Sequence, residues 1–310
     1  MKFITLLIPC YNEESQLEDT FKALPPLLPS AYQYEILFVD DGSKDKTWEM
    51  IQAAADRTEG EHYQIRGLRF SRNFGKESAL LAGLAEAKGE AVIIMDADLQ
   101  HPPSHIAQML EAWEEGYDVV EGVKASRGKE STFSRVSAKL FYKVFKNFSG
   151  LQLKNASDFK LLDRKVVDVW KELPEQDPFF RGLSAWVGFK RKSFSFVVED
   201  RVHGESKWTP LKLLSLSLDA LLGFTSKPLY LIAGLGIFME IGFVILAIQT
   251  LVMRLSGRAA DGFTTVILLQ LLIGGSLLLA LGLIGIYISK IYDAVKNRPR
   301  YLISERTEEK

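Results

Sequence analysis

The chain has 310 residues and a formal net charge of −1, a length that fits one or two domains. Its single cysteine, Cys10, excludes an internal disulfide and a cysteine-based zinc site, and fits a reducing compartment. Roughly the first two hundred residues are mixed and charged while Lys227 to Lys290 is largely apolar, which excludes one uniform soluble domain.

The opening MKFITLLIPC superficially resembles a short signal or lipoprotein start. The apolar run is short, Pro9 precedes the cysteine and the acidic YNEE follows, so the stretch reads as a first β-strand. EESQLEDTFKALPPLL is helical, and YEILFVDDGS is a strand leaving in acids. KDKTWEMIQAAADR is helical, YQIRGLRFS a strand, and KESALLAGLAEAKG a helix ending at Gly89. EAVIIMDAD is a strand, PPSHIAQMLEAWEEG a helix opened by prolines, and YDVVEGVK a fifth strand. Near-continuous apolar strands alternating with amphipathic helices predict an α/β domain, its mostly parallel sheet covered by helices on both faces. Ligands in such sheets bind beyond the strands' carboxyl ends. Asp40-Asp41 and Asp96-Ala97-Asp98 then lie on one edge.

Further along, TFSRVSAKLFYKVFKNFSG spaces Arg135, Lys139, Lys143 and Lys146 by four, four and three, beside an apolar stripe and without an acid. It reads as a basic amphipathic helix for anionic headgroups, or as a helix packed on the sheet. TPLKLLSLSLDALLGF reads as a second interfacial helix. Pro228 to Met253 and Thr264 to Ser289 are each long and apolar enough to span a bilayer, which takes roughly 20 residues of helix. Lys227, Lys290, Lys296, Arg298 and Arg300 flank them, against Arg254, Arg258 and Asp261 in the short loop. That modest bias puts both termini in the cytoplasm. Gly274, Gly275, Ser276, Gly282 and Gly285 would let helices approach closely. Glu240, inside the first span, is a functional candidate by default, or it pairs with Gln270 or another subunit, or is protonated. The expected organisation is 1–208 catalytic, 209–226 interfacial, 227–290 spanning and 291–310 a basic cytosolic tail.

No G-x-G-x-x-G follows a strand, and GVKASRGKE misses a phosphate loop by one residue of spacing, with Glu130 in place of Ser or Thr. The acids carry the chemistry. In extended chain, residues i and i+2 point the same way, so Asp96 and Asp98 face one point past the strand, with Gln100 able to join. Two close carboxylates repel without a cation between them. Mg²⁺ or Mn²⁺ suits them and would neutralise a diphosphate. His101, before two prolines, reads as a loop residue rather than a ligand, and Asp163 as a surface residue.

IPCYNEE, VDDGSKDKT, SRNFGKESAL and MDADLQHPP, in this order and spacing, closely resemble family 2 glycosyltransferases of the A-type (GT-A, Rossmann-like) fold. With SDFKLLDR, FFRGLSAW, RVHGESKW and a C-terminal two-helix transmembrane hairpin, the whole chain is similar to bacterial polyprenyl-phosphate glycosyltransferases, relatives of dolichyl-phosphate mannose synthase. The resemblance implies that Pro9, Tyr11, Glu13, Asp40, Asp41, Arg72, Asp96 and Ala97 bind the nucleotide sugar, Tyr11 near the base. The bland alternatives are strand-end packing for Tyr11, helix capping for Asp40 and Asp41 with Ser43 the better cap, and a solvated charge for Arg72. It implies that Asp96, Asp98 and Gln100 bind the metal and diphosphate, and that Asp158 and Lys160 lie at the reacting sugar. Asp158 is either a base or an orienting group. A lipid monophosphate, at about −1.5 to −2 charge near pH 7, needs no base to attack. Arg127, Arg135, Arg181, Arg201 and Lys207 would bind the acceptor phosphate, Arg201 foremost, with Lys129 either joining them or solvated.

The expected reaction moves a sugar from a nucleotide sugar to polyprenyl (undecaprenyl) phosphate by one inverting displacement at the cytosolic face of the bacterial inner membrane. UDP-glucose ranks ahead of UDP-GlcNAc, UDP-galactose and GDP-mannose. The expected partners are the nucleotide sugar, the lipid phosphate and the membrane, with no nucleic acid; a homo-oligomer and a separate flippase stay open. A processive polysaccharide synthase, or a glycosyltransferase for another acceptor, is the first rival, but the processive Q-x-x-R-W motif is absent, because Gly182 follows Arg181. A nucleotide-sugar-binding scaffold or transporter is the rival from another class.

Overall fold

The strand FITLLIPC is apolar on both faces, and Ile4, Leu6, Leu7 and Ile8 are wholly buried, so it belongs in the middle of a covered sheet. The computed structural model, which describes residues 1–57, 62–124, 146–147, 150, 156–173, 179–196, 225–256 and 262–307, places it there. In chain order the elements are β1 (Phe3–Cys10), α1 (Glu14–Ala23), β2 (Gln33–Asp40), α2 (Thr47–Arg57), β3 (Tyr63–Phe70), α3 (Lys76–Glu86), β4 (Ala91–Ile94) and α4 (Ile106–Glu114). There follow β5 (Val119–Lys124), β6 (Ala156–Asp163), α5 (Arg164–Glu172), α6 (Phe180–Trp186), β7 (Arg191–Phe196), α7 (Lys227–Leu255), α8 (Phe263–Lys296) and β8 (Ile303–Arg306).

The eight strands form one mixed α/β sheet in the order β7-β5-β6-β4-β1-β2-β3-β8. β4, β1, β2 and β3 are parallel to one another, with Cys10 opposite Asp40 and Leu7 opposite Ile94. The acid-bearing exits of β2 and β4 therefore flank the exit of β1. The fifth strand runs in the same direction as β1–β4 but does not adjoin them. β6 lies between β4 and β5 and is antiparallel to both, and β5 pairs in parallel with β7.

Part of the expected 291–310 tail is a strand of the sheet. β8 pairs antiparallel with β3, with Arg306 opposite Leu68 and Glu305 opposite Arg69. It covers what would otherwise be an open sheet edge.

The chain divides into two units, Met1–Leu214 with Pro299–Lys310, and Ser215–Arg298. In the second, two stretches are long and apolar enough to cross a membrane, Lys227–Met253 and Leu272–Lys296. Large apolar side chains such as Phe238 and Leu278 are exposed there, as helices apolar all round require of a non-aqueous surrounding. α8 is longer than the 264–289 segment expected. Glu240 is exposed on α7, and no Glu240–Gln270 hydrogen bond occurs among the described residues. The expected interfacial helix at 209–226 lies outside the described residues except for 225–226, and the basic amphipathic helix at 132–150 does so except for 146–147 and 150.

Candidate active site

The site is built on the turns that follow β1, β2, β3 and β4. Tyr11, next after β1, is 38% exposed, so strand-end packing does not account for its ring. Pro9 is half-buried at the same strand end. Asn12 takes a left-handed φ of 54°, its N–H donating to Ser43 Oγ at 2.8 Å and its Oδ1 accepting from the Lys44 N–H at 2.9 Å. The Glu13 N–H donates to Thr47 Oγ1 at 2.9 Å. The turn after β1 is thereby tied to the turn after β2. Gly42 is required: its φ is +67°, and a Cβ there would lie 2.4 Å from the Arg72 carbonyl carbon.

Both acids at the exit of β2 are buried, and both face inward. Asp40 Oδ1 accepts from the Ser43 N–H at 3.0 Å, and its Oδ2 lies 3.5 Å from Arg69 Nε. Burial raises its pKa, against the Ser43 hydrogen bond and Arg69. Asp41 accepts from the Phe74 N–H at 2.6 Å and the Gly75 N–H at 2.9 Å, and so fixes the loop that starts α3. Neither acid caps α2, and nor does Ser43. Asp45 Oδ1 accepts from the Thr47 N–H at 3.1 Å instead. Arg72 is exposed, its guanidinium carbon 4.1 Å from the centroid of the Phe74 ring.

The exit of β4 is not the extended chain on which Asp96, Asp98 and Gln100 were expected to alternate. The strand ends at Ile94, and Leu99 has a left-handed φ of 55°, so the two-residue alternation stops before the acids. Asp98 Oδ1 accepts from the Gln100 N–H at 3.1 Å, and Asp98 lines a cleft with Gln16, Asp19, Ala97 and Leu99. Asp96 turns to Lys76, its Oδ1 2.5 Å from Nζ. No group of three or more His, Cys, Asp or Glu placed to hold a metal occurs among the described residues. The donor chemistry still fits Mg²⁺ or Mn²⁺, because such ions need only one or two carboxylates besides water and substrate phosphate.

β6 brings the second half of the site. Ile94 pairs antiparallel with Lys160, so two residues on, Asp158 falls across from Asp96. Two facing carboxylates need a cation, and Lys76 supplies it, its Nζ 2.9 Å from Asp158 Oδ2. Arg181, in the first turn of α6, grips Asp158 from the other side with Nε at 2.8 Å and Nη2 at 3.0 Å. Burial alone would raise the Asp158 pKa, but Lys76 and Arg181 outweigh it and hold the carboxyl well below the usual carboxylate range. A carboxylate so held is a poor proton acceptor, which favours the orienting role over the base. Arg181, expected as an acceptor-phosphate cation, has two of its donors committed to Asp158.

Lys160 is 1% exposed, and its Nζ sits 3.1 Å from Glu121 Oε1 and 5.5 Å from the Phe180 ring centroid. Burial lowers its pKa, against the pull of Glu121. Its ammonium group lies within the sheet beside Glu121.

His101 lies in a loop, as expected, and Asp163 is only partly exposed. His101 is buried, stacked on Phe159 with centroids 5.1 Å apart, and its Nδ1 accepts the Asp96 N–H at 3.2 Å. Asp163 caps α5 through the Lys165 N–H at 2.9 Å and accepts from Trp113 Nε1 at 2.7 Å. Sequence reasoning missed Lys76 and Glu77, neighbours in the first turn of α3. Arg127, Lys129, Arg135, Arg201 and Lys207 lie outside the described residues.

Glu77 Oε2 accepts the Phe180 N–H at 2.9 Å and so places α6, which carries Arg181. Burial, and then repulsion from Asp158, push its pKa up to about 7, while Lys76 and Arg181 pull it down. The folded state thus holds this proton more tightly than the unfolded chain. Its stabilising contribution is complete below the ordinary 4.5 and is lost as pH rises through about 7. Glu77→Gln keeps an acceptor for Phe180 and removes the titration. Its melting temperature should exceed the parent's by a margin that grows between about pH 5 and about pH 8.5. A margin that does not change with pH would sink this account.

The sequence model of glycosyl transferase family 2 matches residues 5–169. An uncharacterized glycosyltransferase of Bacillus subtilis (strain 168) is 38% identical over 308 residues, covering 97% of this chain and 93% of its own. The SfII prophage-derived bactoprenol glucosyl transferase of Shigella flexneri is 36% identical over 305 residues, covering 97% of each chain. Among solved structures, glucosyl-3-phosphoglycerate synthase from Mycobacterium tuberculosis, crystallised with Mn²⁺, UDP and glucosyl-3-phosphoglycerate, is 20% identical with a TM-score of 0.46, over 72% of this chain and 78% of that one.

Proposed function

The chain belongs to glycosyl transferase family 2, and from that premise we propose that this glycosyltransferase moves glucose from UDP-glucose to undecaprenyl phosphate at the cytosolic face of a bacterial membrane. The observation that carries the acceptor is similarity over 97% of the chain, apolar helices included, to a bactoprenol glucosyl transferase. One displacement suffices. An oxygen of the lipid phosphate bonds to the anomeric carbon as the bond from that carbon to the donor diphosphate breaks, the nucleoside diphosphate leaves, and the centre inverts. The attacking phosphate is already anionic, so no residue need take a proton.

Asp158, kept ionised by Arg181 and Lys76, accepts hydrogen bonds from sugar hydroxyls and holds the ring for attack. Tyr11 and the turns after β1 and β2 receive the nucleoside, with Arg72 beside them. Asp98, joined by Asp96 and Gln100, would hold the divalent ion, which when bound neutralises charge on the leaving diphosphate. Arg127, Arg135, Arg201 and Lys207 are the cations assigned to the acceptor phosphate.

β7 precedes the apolar helices and β8 follows them, yet both belong to one sheet, which supports an even number of crossings. The basic flanks support a cytoplasmic catalytic unit.

Purified full-length protein supplied with radiolabelled UDP-glucose, Mn²⁺ and undecaprenyl phosphate should yield glucose in the lipid fraction. UDP-GlcNAc, UDP-galactose and GDP-mannose run in parallel test the sugar. Nucleotide binding without turnover of any donor would favour a scaffold and overturn the reading.

A further inference from the structure

We propose that β8, the strand after the second apolar helix, sets the geometry of the donor nucleotide pocket through Glu305 and Arg69. This rests on the reading of the turns after β1 and β2 as that pocket. The Glu305 carboxylate accepts from Arg69 Nη1 at 3.0 Å through Oε1 and from Trp48 Nε1 at 2.9 Å through Oε2. Trp48 is buried in α2, so the carboxylate is anchored on one side and orients Arg69 on the other. Arg69 in turn faces the pocket floor. Its Nη2 donates to the Ser43 carbonyl at 3.3 Å, and its Nε lies 3.5 Å from Asp40 Oδ2, a buried oxygen without a hydrogen-bond partner.

A buried carboxylate needs a counter-charge, and Arg69 provides one from β3. Ser43 links onward to the Asn12 N–H, one residue from Tyr11. The relay therefore runs from β8 through Arg69 and the Asp40–Ser43 turn to the strained residue beside the exposed ring.

A second set of contacts reaches the opposite wall. Tyr301 stacks on Phe70 with centroids 5.2 Å apart and planes 12° apart, and Phe70 meets Phe74 edge-on at 5.8 Å. The Leu302 carbonyl accepts the Ser71 N–H at 3.0 Å. These contacts steady the loop whose Phe74 and Gly75 N–H groups hold Asp41, and from which Arg72 projects. Glu305 and Arg69 are positioning residues: neither touches substrate in this account, and each acts through the turn it holds.

Glu305→Gln keeps an acceptor and removes the charge that aims Arg69. In the full-length protein it should weaken UDP binding by calorimetry, and raise the KM for UDP-glucose, roughly fivefold. The kcat and the KM for the lipid phosphate should stay near the parent's. Glu86→Gln makes the same change at another ion pair of the tail, Arg306 Nη1 to Glu86 Oε2 at 2.7 Å, at a residue outside the relay. It should leave UDP affinity unchanged. Unchanged UDP affinity in Glu305→Gln, or equal losses in both variants, would overturn the proposal by making β8 a general brace. Tyr11→Ala separates the two layers. If it binds UDP weakly while Glu305→Gln binds normally, the pocket stands and the relay falls. If Tyr11→Ala binds UDP as the parent does, the pocket reading itself fails.

Discussion

Asp158→Asn is expected to lower sugar transfer by about 10²- to 10³-fold, measured as kcat for lipid glycosylation with donor and acceptor saturating. The size follows from what the carboxylate does. It is 6% exposed, takes a two-pronged grip from Arg181 and a third contact from Lys76, and faces Asp96 across two adjacent strands. Asparagine fits the space but leaves two cations sharing a neutral group, and removing one partner of a buried ion pair costs about 3–5 kcal/mol. Lys76 would then lean on Asp96 alone, and α6 would lose the bond that aims Arg181. The pH profile distinguishes the two possible roles. Lys76 and Arg181 hold the Asp158 carboxyl far below neutrality, so it stays ionised across the working range. The parent and Asp158→Asn should therefore show profiles of the same shape at different heights. An acid limb present in the parent and absent in the variant would restore Asp158 as a base, and near-parental turnover would remove it from the site.

Asp98→Ala should cost about 10²-fold or more in transfer and should abolish Mn²⁺ binding read by electron paramagnetic resonance in the presence of UDP. Of the two acids after β4, Asp96 is already engaged by an ammonium group, whereas Asp98 accepts a backbone N–H of its own turn. The Asp98 carboxylate also borders the cleft lined by Gln16, Asp19, Ala97 and Leu99, where an ion can be met by water and substrate phosphate. The binding readout matters because loss of rate alone could come from a collapsed turn. Mn²⁺ bound as tightly by Asp98→Ala as by the parent would place the ion elsewhere.

The central strands were legible because their signals are local. Four apolar runs, each followed by an amphipathic helix, dictate parallel neighbours, and β1 to β4 follow that rule. The placement of β6 did not announce itself: ASDFKLLD carries a lysine and acids, and its antiparallel partners Ala91 to Ile94 lie far back in the chain. Nor did β8, a four-residue strand after an apolar helix, whose pairing with β3 is set by non-local hydrogen bonds. At the site, the residue types were readable and their directions were not. The alternation argument for Asp96 and Asp98 assumed extended chain, and the chain turns at the acids. Lys76 and Glu77 read as ordinary first-turn helix residues. The signal that could have found Lys76 is electrostatic: two acids brought together at a covered sheet edge demand a cation, and SRNFGKE supplies one just after the third strand.

The position of β8 has a consequence for biosynthesis. β3 ends at Phe70 and its edge partner begins at Ile303. At about 5–20 residues per second of translation, the edge of β3 waits roughly 10–50 s before its last neighbour is made. Both apolar helices are synthesised within that interval. The sheet therefore closes only on a chain whose hydrophobic segments have already left the ribosome, and a nascent chain stalled before that point keeps an unpaired edge open to chaperones and to aggregation.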